Sequence, residues 1–296
     1  MRPDTNWRGT VRRFTVGLLA TLFFCTHAAA APKLLWEVKG LEQPESVVQD
    51  PATGVLYVSN ISGAIMQKDG KGFIAKLRSD GTIIERDWVK GLNAPTGLAL
   101  HDRSLYVADV DELVEINAAS GEIVKRYPAK GAIFLNDVVA GEDGTIYVSD
   151  TPTNTIWRLN QGNFEPWLAN DTLNGPNGLL VEGDKLIVAT FGKLPGEGQK
   201  QELGGLYAID IEKQSVSKLG DSDAIGNLDG LQASEPSAYL VSDWAAGGLY
   251  RVPAKGKAER LLKLGKGSAD FIYLPDQKLA IIPIMLSNAL VAYTLD

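Results

Sequence analysis

Residues 32–296 of this chain contain no cysteine, because the single cysteine is Cys25. That absence excludes disulfides, zinc–thiolate sites and a cysteine nucleophile from most of the chain. Histidine is also scarce, and only His101 lies beyond residue 31. The sequence has no Gly-x-Ser-x-Gly motif and no histidine placed to activate a serine, so a serine hydrolase is not expected. Glycine-rich phosphate loops are absent too.

Long apolar runs are missing except near the start of the chain. There, Arg8, Arg12 and Arg13 precede an apolar stretch over residues 14–25, and alanines follow at 28–31. This order of charge, short apolar core and small residues predicts a signal peptide over residues 1–31. The stretch is too short to span a bilayer. We therefore expect a periplasmic or secreted protein whose remaining residues, 32–296, form the folded domain.

Basic residues are outnumbered by acidic ones. Residues 1–31 hold four Arg and one Asp of the 29 basic and 36 acidic residues, so residues 32–296 carry a net charge of about −10. This charge argues against nucleic acid or an anionic membrane surface as a partner, and it is compatible with a cation site. The length suits one large all-β domain. The oligomeric state stays open.

A short motif recurs six times: a turn or small residue, one polar residue, and then an apolar run. The polar residues are Glu45, Thr96, Asn136, Asn177, Asp229 and Asp270. They are separated by 51, 40, 41, 52 and 41 residues. A repeat of this length in a strand-rich chain predicts an all-β fold, a six-bladed β-propeller with one four-stranded blade per repeat.

Each repeat follows one plan of strands. The first strand is nearly all apolar, because neighbouring blades cover both of its faces. The second ends in a small polar residue, as at Asn60, Asp109, Asp150 and Asp243. These four are expected to cap loops; the alternative is that they support the channel residues from behind. The sixth repeat supplies only three strands, so the spare strand at residues 34–38 is predicted to complete the last blade and close the ring.

Two repeats are longer than the others by about eleven residues. The surplus follows the second strand, between Asn60 and Gly72 and between Thr190 and Gly204. In an up-and-down blade the second strand ends where the first begins, so both loops should rise beside the six polar residues. Long loops on one face of a scaffold are usually functional, which favours a wall or lid over the channel mouth. Insertions without a role are the alternative.

The six polar side chains should point into one central channel. Burying them without partners costs several kcal/mol, so the channel is either water-filled or holds a ligand. Glu45, Asn136, Asn177 and Asp229 bring two carboxylates and two amides together. Such oxygens suit one divalent cation, Ca²⁺ first, with Mn²⁺, Mg²⁺ and Zn²⁺ as alternatives.

Here the chain resembles the SMP-30/gluconolactonase/LRE-like family of six-bladed propellers and, more distantly, the paraoxonases. The resemblance extends over residues 32–296 in blade plan, and its specific part is Pro44-Glu45-Ser46, Leu135-Asn136-Asp137, Gly175-Pro176-Asn177-Gly178 and Leu228-Asp229-Gly230. It implies that Glu45, Asn177 and Asp229 bind one divalent metal, with Asn136 beside it.

Two positions depart from the family pattern. Phe134 stands where sugar lactonases tend to carry an arginine that holds the substrate, and Thr96 stands where paraoxonases carry a histidine. A histidine mechanism and a charged clamp for a sugar lactone are therefore not expected. Phe134, Thr96 and Asn136 are predicted to contact a small substrate, a more apolar one than a sugar, with Phe191 or Met66 as further walls.

The resemblance and the channel residues together predict a metal-dependent hydrolase of a small-molecule lactone or related ester. Asp229 is the family-based candidate for the catalytic carboxylate, and Asp270 is a second candidate from its channel position alone. One alternative is a non-catalytic propeller that binds a ligand or partner around a structural metal. Another is a propeller enzyme of a different kind, strictosidine-synthase-like or quinone-dependent.

Overall fold

The computed structural model describes residues 31–193, 200–220, 224–235 and 238–295, together with residues 1, 3, 4 and 9. The predicted signal peptide over residues 1–31 lies almost entirely outside these residues. Ala31–Asp296 forms a compact unit. In the described part of the chain, no helix has the length and apolar character needed to cross a bilayer.

The described strands form six four-stranded antiparallel sheets. In chain order they are β1 (Lys33–Lys39); β2 (Pro44–Gln49), β3 (Leu56–Asn60), β4 (Gly72–Leu77) and β5 (Ile83–Leu92) in blade 1; β6 (Pro95–His101), β7 (Ser104–Asp109), β8 (Glu112–Asn117) and β9 (Ile123–Pro128) in blade 2; β10 (Leu135–Ala140), β11 (Ile146–Asp150), β12 (Thr155–Asn160) and β13 (Asn163–Ala169) in blade 3; β14 (Pro176–Glu182), β15 (Lys185–Thr190), β16 (Leu206–Asp210) and β17 (Val216–Lys218) in blade 4; β18 (Leu228–Glu235), β19 (Ala238–Asp243), β20 (Gly248–Pro253) and β21 (Glu259–Lys263) in blade 5; and β22 (Ile272–Leu274), β23 (Leu279–Ile284) and β24 (Ala289–Thr294) in blade 6.

The blades form a closed ring, as the repeat predicted. The first strands of successive blades pack against one another around the axis. In blade 6 the order is β22, β23, β24 and then β1, which pairs with β24 from Lys33 opposite Thr294 to Lys39 opposite Ala289. The six-bladed propeller and its closure by the N-terminal strand are therefore confirmed.

The core is divided among the six spaces between neighbouring blades. Between blades 6 and 1, for example, Phe73 and Leu77 pack with Ile281 and Leu290, and Trp36 of β1 packs against them. Equivalent clusters join each other pair of blades. Each fully buried side chain of this size contributes roughly 1.5–3 kcal/mol. Packing between blades therefore fixes the ring without disulfides.

Helical structure in the described residues is limited to four three-residue 3₁₀ turns, in agreement with the predicted all-β fold. They are Thr151–Thr153, Asp171–Leu173, Pro275–Gln277 and Met285–Ser287.

Each first strand of blades 1–5 is interrupted at the same place. The pairing register shifts at Pro44/Val47, Pro95/Leu98, Leu135/Val138, Pro176/Leu179 and Leu228/Leu231. The two residues inside each shift are the repeated polar residue and the one after it. A bulge of this kind re-aims side chains and is frequent beside active sites. In this chain the bulges turn the polar side chains toward the axis.

Glycine follows the polar residue where inner strands approach most closely. A Cβ on Gly178 would stand 2.1 Å from the carbonyl oxygen of Asp229, and one on Gly97 would stand 2.5 Å from the Cα of Asp137. Such distances are far inside van der Waals contact, so these positions accept no side chain. The Asn177-Gly178 pair thus combines a polar group for the channel with space for the next blade.

Candidate functional site

The channel contains two cavities of about 300 Å³, one at each end of the innermost strands. The upper cavity lies where these strands begin. Its lining residues are Glu45, Ile61, Ile65, Met66, Thr96, Phe134, Asn136, Thr151, Pro152, Asn177, Phe191, Asp229, Trp244 and Met285. Five of the six repeated polar residues are therefore brought together, as the repeat predicted. The sixth, Asp270, lines the lower cavity instead.

We call Glu45, Thr96, Asn136, Asn177 and Asp229 the polar floor of the upper cavity. Three oxygens of this floor have no hydrogen-bond partner. Glu45 Oε2, Asn177 Oδ1 and Asp229 Oδ1 are buried and accept no hydrogen bond. The residues are only 5%, 2% and 4% exposed. Leaving a buried acceptor unsatisfied costs about 1–3 kcal/mol, and more when the group is charged. These are the three residues that the resemblance implies as metal ligands.

Two other polar residues of the floor are already engaged. Asn136 donates from Nδ2 to Thr151 Oγ1 at 3.1 Å, and the Thr151 hydroxyl donates to the Pro176 carbonyl at 2.8 Å. The Thr96 hydroxyl donates to the Leu135 carbonyl at 3.1 Å. These bonds fix the side chains of Asn136 and Thr96 beside the unpartnered oxygens.

The carboxyls of the floor resist ionisation. Burial raises the pKa of Glu45 well above its usual value, and the charges of Asp229, Asp270 and Asp137 raise it further. Burial and Asp270 likewise raise the pKa of Asp229, which a hydrogen bond from Asn177 partly offsets. Both acids would ionise more readily beside a positive charge.

The donor set fits a hard divalent cation. The upper cavity offers two carboxylates with free oxygens and amide oxygens beside them, the chemistry that Ca²⁺ accepts. Among residues 31–193, 200–220, 224–235 and 238–295, no three His, Cys, Asp or Glu side chains form a metal-binding group. A cation held here would therefore depend on the amide oxygen of Asn177 as well as on carboxylates.

The lower cavity contains the other two channel carboxyls. Asp270 accepts a hydrogen bond from Ser46 Oγ at 2.5 Å, and burial raises its pKa to about 7. Asp137 accepts from the backbone N–H of Val138 at 2.7 Å and of Leu179 at 2.6 Å. Burial and the charge of Asp270 raise the pKa of Asp137. Asp137 was not singled out from the sequence, although it directly follows Asn136 in the repeat.

Several residues at the mouth share one repeat position, and all of them except Phe191 escaped the sequence analysis. Ile61, Thr151, Phe191, Trp244 and Met285 each follow directly after the second strand of a blade, and all five line the upper cavity. The signal was therefore present in the sequence, one residue beyond the polar ends of the second strands.

Those polar ends cap loops, as expected. Asp109 accepts from the backbone N–H groups of Asn93 and Ala94, Asp150 from that of Phe134, and Asp243 from those of Ala245 and Ala246. Asn60 Oδ1 accepts from Glu42 N. The described parts of both long loops also wall the upper cavity, through Ile65 and Met66 of one and Phe191 of the other.

Comparison with known proteins gives similarity in structure alone. No protein-family model matches the chain, and no curated protein matches its sequence. A gluconolactonase from Xanthomonas campestris aligns with a TM-score of 0.67 and 17% identity over 90% of this chain and 89% of that one. A structural-genomics target, assigned only provisionally as a gluconolactonase, aligns with a TM-score of 0.64 and 15% identity over 91% and 93%.

A third similar structure is a Staphylococcus aureus virginiamycin B lyase with quinupristin, in a variant inactivated by replacing one histidine with alanine. It aligns with a TM-score of 0.58 and 14% identity over 90% of this chain and all of that one. At these identities the three similarities establish a shared fold. They agree with the family resemblance predicted from the blade motifs at the level of architecture.

Proposed function

We propose that the protein hydrolyses a small lactone or related ester, using a divalent cation held by Glu45, Asn177 and Asp229 with Asn136 beside it. The observation that carries this proposal is the group of three buried, unpartnered oxygens facing one cavity. The shared fold with gluconolactonases supports the choice of reaction.

A bound divalent cation, Ca²⁺ by preference, would polarise the substrate carbonyl and stabilise the oxyanion that develops. The side chains of the floor have separate roles. Asp229 accepts a proton from the attacking water as general base. Asn136, fixed through Thr151, orients the substrate. Thr96 and Phe134 bound the space beside it and limit how the substrate turns.

Asp270 is the second candidate for the general base. It lies in the lower cavity and holds Ser46, and its negative charge raises the pKa of both Glu45 and Asp229. Its effect on the reaction would pass through those carboxyls, so the proposal assigns the proton transfer to Asp229.

The lyase among the similar structures suggests a competing reaction that this chain is poorly equipped to perform. That enzyme is inactivated by the loss of one histidine. In the described residues beyond 31 the only histidine is His101, which does not line the upper cavity. Hydrolysis needs no histidine when carboxylates and a cation are present.

Export is part of the proposal. Cleavage of a signal peptide after residue 31 would leave β1, which begins at Lys33, intact. That strand has to survive, because it closes the ring. N-terminal sequencing of the protein isolated from its native cell would test this point.

The decisive experiment measures hydrolysis of aliphatic, aromatic and sugar lactones after chelation, and again with Ca²⁺, Mn²⁺, Mg²⁺ or Zn²⁺ restored. Activity should disappear and return with one metal. Asn177→Ala should lose both cation binding and turnover, whereas Asn163→Ala, on an exposed outer strand, should lose neither.

Two results would contradict the proposal. Full activity of chelated protein or of Asn177→Ala would exclude the cation mechanism. Cation binding without hydrolysis of any lactone or ester would favour a binding propeller with a structural metal.

A further inference from the structure

Above its polar floor, the upper cavity is bounded by apolar side chains, which we call the apolar wall: Ile61, Met66, Phe134, Phe191, Trp244 and Met285. No Lys, Arg or His of the described chain lines this cavity. The hydroxyl protons of Thr96 and Thr151 are already donated to backbone carbonyls. A ligand with many hydroxyls would lose its hydrogen bonds to water in this cavity, and most of its hydroxyls would face apolar side chains instead, which is unfavourable.

The aromatic part of the wall is held rigidly. The rings of Phe191 and Trp244 are 6.3 Å apart between centroids and inclined by 58°. One buried residue, Asn227, ties both together: its carbonyl accepts from Trp244 N at 2.9 Å, and its Nδ2 donates to the Phe191 carbonyl at 2.6 Å. The wall is therefore formed before any ligand arrives, which lowers the entropic cost of binding.

Met66 supplies a second, independent sign. It lies in the long loop of blade 1 with φ of 69°, a left-handed conformation that an unbranched apolar residue rarely adopts. Its side chain is 49% exposed yet lines the cavity. Strain kept at the edge of a site points to a role for that side chain there.

Apolar exposure continues around the mouth. Ile65, Ile133, Leu203 and Leu286 are 40%, 53%, 48% and 54% exposed, and all lie in connections on the upper face. Ile65 also lines the upper cavity. Exposed apolar side chains on the face where a cavity opens are typical of a ligand entrance.

A more polar cavity of about 520 Å³ adjoins the upper one, sharing Thr151 and Pro152 and including Asn154, Asp171 and Lys193. None of the floor residues Glu45, Asn177 and Asp229 lines it. A ring whose carbonyl reaches the floor must therefore lie within the apolar wall, and the polar cavity does not help it to bind.

We propose that the substrate is an uncharged lactone or ester bearing a hydrocarbon chain or ring, which lies along the apolar wall while its carbonyl faces the polar floor. This inference rests on the proposed hydrolysis for the reaction, but the binding preference can be tested without any turnover. Sugar lactones are poor ligands on this view, in contrast to what a gluconolactonase fold alone would suggest.

Binding is measured first with two ligands that cannot be hydrolysed: 3-octylcyclopentanone, which resembles a γ-lactone with an octyl chain on the γ carbon, and glucono-δ-lactam, which resembles a sugar lactone. The ketone should change the fluorescence of the purified protein. The change should vanish in Trp244→Phe and persist in Trp88→Ala, which removes a half-buried tryptophan of an outer strand away from the cavity. Ketone affinity should exceed lactam affinity at least tenfold, and equal or tighter lactam binding overturns the inference.

Turnover is measured next with γ-lactones of increasing alkyl length. Each methylene that reaches the wall should raise kcat/KM about three- to fourfold. Met66→Asn keeps a residue that tolerates the left-handed conformation, so it should fold normally while flattening this dependence. A series in which kcat/KM does not change with chain length contradicts the inference.

The two proposals fail separately. Ketone binding without hydrolysis of any lactone leaves the apolar preference standing and removes the hydrolase. Rapid hydrolysis of glucono-δ-lactone together with no ketone binding would support the hydrolase and contradict the apolar preference.

Discussion

The two ends of the channel have cavities of the same volume and two buried carboxyls each, yet they differ in what those carboxyls do. At the lower end, both oxygens of Asp137 accept backbone N–H groups, and Asp270 accepts from Ser46. At the upper end, Glu45 and Asp229 each keep one buried oxygen without a partner. The upper pair lies on β2 and β18, whereas Asp137 lies on β10 and Asp270 just before β22.

This difference separates buried acids that join blades from the buried acids that we propose as cation ligands. Asp137 links blade 3 to blade 4 through Leu179 N, and Ser46 accepts from Leu98 N while donating to Asp270. Their polar groups are used up in holding inner strands together. A buried acceptor with no partner is costly and rare in proteins, and this cost is what supports the proposed cation site at the upper pair.

The largest expected effect comes from removing the charge of an upper carboxyl. Asp229→Asn should lower kcat by roughly 10²–10⁴, because the proposed general base is lost. It should also abolish the rise in melting temperature that we expect Ca²⁺ to give the wild type. In chelator at pH 8 the variant should melt no lower than wild type, because a buried carboxyl that keeps one oxygen without a partner is gone. Lower stability in chelator would place Asp229 among the structural acids.

The matched change at the lower end should do the reverse. In Asp137→Asn the amide NH₂ must face the N–H of either Val138 or Leu179, so two donors oppose each other. We expect a loss of about 2–3 kcal/mol in the free energy of unfolding, measured in urea with chelator present. Ca²⁺ binding should be largely retained, since neither Asp137 oxygen is free. Loss of binding at unchanged stability would erase the distinction between the two ends.

Stability against pH tests both ends together. The pKa values of Glu45, Asp137 and Asp229 are raised well above their usual values in the folded protein, and that of Asp270 is raised from 3.8 to about 7. Between the usual pKa of a carboxyl, about 4, and its raised pKa in the folded protein, the folded state holds more protons than the unfolded state. Without a cation, the free energy of unfolding should therefore fall as pH rises from about 4 to 7. Each such carboxyl contributes a slope of about 1.4 kcal/mol per pH unit. Saturating Ca²⁺ should weaken this fall, because it favours the ionised upper pair; identical pH profiles with and without Ca²⁺ would count against the site.

Asp270→Asn separates the two candidates for the general base. If Asp270 serves mainly to hold Ser46, kcat should stay within about tenfold of wild type. Assays at saturating Ca²⁺ and substrate measure this. A larger fall in kcat with unchanged Ca²⁺ affinity would transfer the role of base from Asp229 to Asp270.

The sequence predicted the ring, its closure and the upper polar residues because all of them repeat. A period of about 41 residues, lengthened to 51 and 52 by the two long loops, places Glu45, Asn177 and Asp229 at the same point of their blades. The separation of Asp270 from that group could not be predicted. In blade 6 the bridge from Ser268 to Ile284 and the pair of Ile272 with Ile281 also leave one extra residue on the first strand, but β22 itself begins only at Ile272. Its polar residue precedes the strand and lines the lower cavity.

The apolar wall was predicted only in part. Phe134, Phe191 and Met66 were expected there from loop length and from the missing arginine. Trp244 and Met285 were not expected there, because the positions after the second strands carry residues as different as threonine and tryptophan. Only the alignment of the strand ends in the structure shows that these residues line the same cavity. Which carboxyls keep free oxygens depends on backbone N–H directions, which composition and spacing do not specify.

The smallest expected effect concerns the bulge that divides the two ends in blade 3. Ser149 Oγ accepts from Asp137 N at 2.9 Å, inside the register shift that aims Asn136 upward and Asp137 downward. Blades 2 and 4 carry Ala108 and Ala189 at this position and keep the shift, so the serine supports the bulge without creating it. Ser149→Ala should therefore cost about 1 kcal/mol of stability and change kcat/KM less than threefold. A fall in kcat/KM of more than tenfold, at that small loss of stability, would contradict this expectation. It would show that the hydrogen bond to Thr151 is not enough to position Asn136 for hydrolysis.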